Sequence, residues 1–124
     1  EVMSQSDVVT IHARLLPSTE NLVGAKEIAL MKPDAILVNT ARAGLLDEKA
    51  LIEALQQKKI RGAALDVYRE EPLPDDHILR KLDNVVLTPH IAGMAGDMLH
   101  MSLDIMLAEV ERYLKGEKLL NKVN

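Results

Sequence analysis

The chain has 124 residues, 48% of them hydrophobic, with 15 basic and 19 acidic side chains and a formal charge of −4. That is enough apolar material for one modest core, and the interspersed charges leave no basic stripe for nucleic acid. The absence of cysteine removes disulfides and thiolate chemistry and points to a reducing, cytoplasmic setting. No apolar run approaches the ~18 residues that span a membrane, and no signal-peptide pattern occurs. The chain opens Glu1-Val2-Met3 without an initiator methionine, as expected of a piece of a longer or processed protein.

Asp7 to His12 is a short β-branched run and predicts a strand. A loop follows from Ala13 to Thr19, where Thr19 and Asn21 can bond local backbone and start a turn. Ala25 to Met31 is helix-prone, and Pro33 stops it. Ala35 to Thr40 is an apolar run closing on Asn39 and Thr40, which predicts a strand buried on both faces. Ala41 to Gly44 is a loop. Asp47 is a good N-cap for a helix from Glu48 to Lys59, whose Ala50, Leu51, Ala54 and Leu55 share one face.

Gly62 to Val67 predicts a third strand, its small residues leaving room for a helix to pack closely. A long polar segment runs from Tyr68 to Asp83, with a short helical turn near Ile78 to Leu82. Val85 to Leu87 predicts the fourth strand. Gly96 to Lys115 is the longest helix, apolar around most of its first half, so that it is either buried or set at an interface. Its methionines (Met94, Met98, Met101, Met106) read as core filler. The alternation of strands and helices implies a partial α/β, Rossmann-type parallel sheet of about four strands, followed by a long helix.

Parallel strands bring their carboxyl ends to one edge, where open α/β sheets bind ligands. His12, Thr40 with Arg42, Asp66 and His90 close the four strands in turn, and Glu70 and Glu71 follow Asp66. An arginine can fork onto a carboxylate. A histidine exchanges protons near neutral pH, and a carboxylate beside it favours the imidazolium. These are the groups that reduction of a 2-keto acid needs. Metal ligation fits poorly, because no His/His or His/Glu pair has helical ligand spacing and no cysteine is present. A nucleophilic serine fits poorly too, for want of a Gly-x-Ser-x-Gly turn.

Three strings resemble signatures of the D-isomer-specific 2-hydroxyacid dehydrogenases. They are Met31-Lys32-Pro33 through Val38-Asn39-Thr40-Ala41-Arg42-Ala43-Gly44, then Ala64-Leu65-Asp66-Val67-Tyr68 through Glu71-Pro72-Leu73-Pro74, then Asn84 through Thr88-Pro89-His90-Ile91-Ala92-Gly93. They occur in the family's order with suitable gaps. The resemblance implies that Arg42 binds the substrate carboxylate, that His90 is the acid/base and that Glu71 pairs with it. Glu70 would be a solvated neighbour. Asp66 would meet the nicotinamide carboxamide, Thr40 and Ala41 would lie against the cofactor, and Ala92 and Gly93 would leave it room. His12 would line the cofactor cleft.

The implied cofactor is NAD, with NADP possible in its place, and the implied substrate a small 2-keto or 2-hydroxy acid. A homodimer is expected. So are roles for residues 6–95 as the second half of a NAD-binding domain, and for residues 96–124 as a helix and tail leading back to a substrate domain. The chain departs from the family at Arg14, where many members carry proline, and in lacking Gly-x-Gly-x-x-Gly. The isolated 124 residues are therefore expected to be inactive and to bind NAD weakly. The alternative is a non-catalytic NAD(H)-binding relative of the transcriptional-corepressor kind.

Overall fold

A computed structural model describes residues 1–94 and 96–122. The described chain divides into two compact units, Glu1–Ile91 and Ala92–Asn124. The first holds helix α1 (Val2–Gln5), strand β1 (Val8–Ile11), helix α2 (Ala25–Ile28), strand β2 (Ile36–Asn39), helix α3 (Glu48–Gln56), strand β3 (Gly62–Leu65) and strand β4 (Val85–Leu87). Short 3-10 turns cover Ala43–Leu45 and Ile78–Lys81. The second unit holds helix α4 (Met98–Leu114).

The four strands form one parallel sheet in the order β1-β2-β3-β4. The pairing places Val9, Leu37, Ala63 and Val85 in one row across the sheet, and Leu65 beside Asn39 two residues further on. Their shared face is covered: Val9, Ile11, Leu37, Ala63 and Leu65 are buried in one cluster with Ile28 of α2 and Leu51, Ala54 and Leu55 of α3. The opposite face is more open, with Val8 and Val86 exposed and Ile36 and Val38 half-buried. The strand expected to be buried on both faces is thus fully buried on one only. A run of apolar residues reports what could be covered and not what covers it.

Local chemistry explains the element ends. Asp47 caps α3 by accepting from the Ala50 N–H at 3.1 Å. The helix ends earlier than its sequence pattern predicts. Lys58 takes a left-handed conformation (φ 52°), and the Lys59 N–H closes back on Ala54 O at 2.9 Å. The segment expected to be helical from Ala25 to Met31 makes one α-turn, after which Leu30 and Met31 make tighter bonds to Glu27 O and Ile28 O. Gly62 is small for a different reason from the expected helix packing. A Cβ there would lie 2.6 Å from Asn84 O, the carbonyl that accepts the Ala63 N–H.

Helix α4 overturns the reading of its methionines as core filler. It has no buried residue, and Met94, Met98, Met101 and Met106 are all exposed. Its apolar side chains are thus left uncovered by the described residues. Among the described residues no helix is long and apolar enough to cross a membrane.

Candidate active site

The carboxyl ends of the strands carry the site, and three of them shape it in different ways. At the end of β2 the buried Asn39 folds the chain around its own side chain. Its Oδ1 accepts from the Ala41 N–H at 3.1 Å, and its Nδ2 donates to Arg42 O at 3.0 Å. That turn delivers the exposed Arg42, whose Nη1 donates to Ala41 O at 2.6 Å. Among the described residues this is the guanidinium's one hydrogen bond, so most of its five donors face no protein acceptor. Gly44 follows because Leu15 packs on it; a Cβ there would lie 3.0 Å from the leucine Cδ2.

At the end of β3 stands Asp66, buried to 2% exposure. Its Oδ1 accepts from Thr88 Oγ1 at 2.5 Å and from the Ile91 N–H at 2.9 Å. Those donors flank Pro89 and His90. The Tyr68 hydroxyl lies 2.8 Å from Leu65 O and 2.9 Å from Thr88 O, sharing its proton between the two carbonyls. Burial pushes its phenol above the ordinary value. These contacts hold the loop after β4 in place. They matter because His90 sits in the left-handed region (φ 56°), which costs a residue with a Cβ about 1–2 kcal/mol.

His90 is paired. Its Nδ1 lies 2.8 Å from Glu71 Oε2, while Glu71 Oε1 accepts from the Tyr68 N–H at 2.9 Å. The hydrogen bond to His90, and then the Tyr68 N–H, hold the Glu71 carboxyl below its ordinary range. An ionised carboxylate only accepts, so Nδ1 donates and Nε2 is left to exchange a proton with a reactant. Both partners are partly exposed, where such a pair adds little stability. Its geometry therefore orients the ring more than it holds the fold.

Arg42, Glu71 and His90 line one cleft of about 700 Å³. A second cavity of about 560 Å³ also touches Glu71 and His90, but its cation, Arg80, already donates to Leu73 O at 2.7 Å and Pro74 O at 3.0 Å. The Arg42 cleft is the one equipped for an anionic reactant.

The other residues singled out in the sequence are placed differently. His12 is exposed after β1, with Nε2 2.9 Å from Thr10 Oγ1, and lines neither cavity. Thr40 and Ala41 are half-buried at the end of β2. Asp66 braces the His90 loop, a role not expected for it. Glu70 is exposed and lines neither cavity. Ala92 and Gly93 open the second unit, where a Cβ on Gly93 would meet nothing within 4 Å. Asn39, Tyr68 and Thr88 were missed. Their only sequence signal is a polar group at or just past the end of an aliphatic strand.

Known proteins share this fold and much of this sequence. Residues 1–92 match the family model described as D-isomer specific 2-hydroxyacid dehydrogenase, NAD binding domain. The chain is 46% identical over 124 residues to the D-3-phosphoglycerate dehydrogenase of Methanocaldococcus jannaschii, covering all of this chain and 24% of that protein. It is 42% identical over 118 residues to the glycerate dehydrogenase of Methylorubrum extorquens, covering 94% of this chain and 38% of that protein. The structure of D-lactate dehydrogenase with NAD+ from Lactobacillus jensenii superposes with a TM-score of 0.92 at 36% identity, over 99% of this chain and 41% of that one. The chain thus spans between about a quarter and two-fifths of these relatives' lengths. It belongs to the D-isomer-specific 2-hydroxyacid dehydrogenase family, residues 1–92 matching that family's NAD-binding domain.

Proposed function

We propose that this chain is the second half of the NAD-binding domain of an oxidoreductase that interconverts a 2-keto acid and a D-2-hydroxy acid. The observation that carries the reading is the His90–Glu71 pair at 2.8 Å, in one cleft with Arg42, at the carboxyl edge of a parallel sheet. Arg42 binds the substrate carboxylate through its guanidinium fork and fixes the keto group's orientation. His90, its Nδ1 held by Glu71, gives the proton on Nε2 to the carbonyl oxygen as that oxygen gains charge. In the oxidising direction the same nitrogen takes the proton from the hydroxyl. Thr40 and Ala41 would hold the nicotinamide end of a dinucleotide, which would supply or accept the hydride at the carbonyl carbon.

The residues present fit the nicotinamide end of such a cofactor. The half-buried Thr40 and Ala41 offer a small, partly apolar surface at a strand end. They do not supply a phosphate cradle, since the six glycines include no Gly-x-Gly-x-x-Gly. The pyrophosphate site and the substrate-domain wall then belong to the rest of the intact protein, and the isolated residues are inactive. The intact protein is a homodimer, a reading supported by the exposed apolar surface of α4, and works in the cytoplasm, a reading supported by the cysteine-free composition.

The test is a turnover assay of the intact protein with NADH and NADPH against hydroxypyruvate, glyoxylate, 3-phosphohydroxypyruvate and pyruvate. Cofactor oxidation with at least one keto acid is expected. Tight NADH binding without turnover on any of them would move the assignment to the non-catalytic, protein-interacting relative.

A further inference from the structure

Asn21 and Arg69 take no part in the chemistry above, yet they join the loops that carry it. Asn21 lies between β1 and α2 in the left-handed conformation (φ 51°), which asparagine tolerates better than most residues. Its backbone N–H donates to Gly44 O at 2.8 Å, two residues beyond Arg42. Its side-chain Oδ1 accepts from Arg69 Nη2 at 2.6 Å, two residues before Glu71. Arg69 Nη1 also lies 3.8 Å from Glu20. The turn from Tyr68 to Glu71 is closed by the Tyr68 N–H on the Glu71 carboxylate, so a shift of Arg69 moves a short, tied segment. Glu20 and Arg69 border the same cleft as Arg42 and His90.

We propose that Asn21 is a positioning residue with two separable branches: its backbone N–H sets the loop bearing Arg42, and its side chain, through Arg69, sets the loop bearing Glu71. The inference rests on the oxidoreductase reading. A surface hydrogen bond of no consequence is the competing account. Against it stand the charge-assisted 2.6 Å contact and the second bond that the same residue makes to a different loop of the site.

The branches separate by mutation in the intact protein. Asn21→Gly keeps the N–H and the left-handed backbone but deletes the acceptor. Arg69→Met deletes the donor and keeps the aliphatic bulk. Asn21→Asp keeps an acceptor for Arg69. Loosening Glu71 misaligns the proton donor, so Asn21→Gly and Arg69→Met should each lower kcat for keto-acid reduction about tenfold. KM for the keto acid should stay within about twofold, because the Arg42 loop keeps its tie. The double variant should be no worse than either single one, since both delete the same contact. Asn21→Asp should return kcat to within about twofold of the unmodified protein.

A readout independent of turnover accompanies the kinetics: the NMR signal of the His90 Nδ1 proton, assigned by its loss in His90→Gln. It should broaden or shift in Asn21→Gly and Arg69→Met and recover in Asn21→Asp. Unchanged kcat and an unchanged signal in both deletions would overturn the proposal. So would a loss expressed in KM alone. If Asn21→Gly fails to fold, Arg69→Met decides. If the unmodified protein reduces no keto acid, the oxidoreductase reading fails by itself and the proton signal still decides on the positioning role.

Discussion

Two histidines end parallel strands on the same edge of this sheet, and their surroundings have little in common. His12 follows β1 and, among the described residues, reaches only Thr10, two residues back on its own strand. His90 follows β4 and is paired with Glu71, 19 residues away, on a loop anchored by the buried Asp66 and by Tyr68. A local neutral contact can form wherever a strand ends. A charged contact between distant segments exists only because the fold brings them together, and it holds the ring in one orientation. Position at the carboxyl edge is shared by both; only His90 has a cation, Arg42, in the cleft it lines.

The sharpest way to break this contrast is to remove the imidazole with the pairing. His90→Ala should lower kcat by about 10²–10⁴ in the intact protein, the usual worth of a positioned acid/base, with circular dichroism unchanged. A rate within a few-fold of the unmodified protein would make His90 no different in kind from His12. Arg42→Ala comes next. Deleting a charge-assisted anchor worth about 1.5–3 kcal/mol should raise KM for the keto acid about ten- to a hundredfold. Arg42→Lys should fail to restore it, because an ammonium cannot reproduce the fork.

Glu71→Gln is milder, since the ring keeps a hydrogen-bond partner, and kcat should fall about tenfold. Its pH signature is more informative. The folded-state pKa of Glu71 is depressed by His90 and the Tyr68 N–H, so the unfolded chain binds the proton more readily. The carboxylate's contribution to stability is thus fully present above the ordinary value of 4.5 and is lost as pH falls through the depressed one. Denaturant titrations should show a stability gap between the two proteins that closes as pH falls through the depressed range. A gap that went on widening below that range would reverse the assigned direction.

Much of this was legible in the residues. Aliphatic runs closing on polar groups located all four strands, and Asp47 announced the start of α3. Parallel topology brought His12, Thr40, Arg42, Asp66, His90 and the Glu70-Glu71 pair to one edge, and the resemblance to the family singled out Arg42, Glu71 and His90 among them. What could not be read was which way a strand-end polar group turns. Asp66 and Asn39 are as polar as Arg42, but both are buried and spend their atoms on the loops beside them. A side chain at a strand end is free to face the cleft or its own turn, and one sequence carries no signal for the choice. The methionines at helix α4 were read as core filler for a related reason: periodicity marks an apolar face and is silent about the surface that meets it. Gly62 was assigned to helix packing when its neighbour is the Asn84 carbonyl, a contact set by strand pairing.

The smallest expected effect is the one that most directly tests the comparison. His12→Ala removes a side chain that stands on the same sheet edge as His90 but, among the described residues, has a threonine hydroxyl for a partner and no carboxylate. If the long-range pairing is what makes a strand-end histidine chemical, kcat for keto-acid reduction should change by less than about twofold. The resemblance to the family places His12 beside the cofactor, and that role predicts a rise in KM for NADH at unchanged kcat. Steady-state titration of NADH separates the two. A change confined to the NADH term leaves His90 alone as proton donor and makes His12 a cofactor contact, whereas a tenfold fall in kcat would mean that edge position, with only a local hydroxyl for support, suffices for the chemistry and that the Glu71 pairing is dispensable to it.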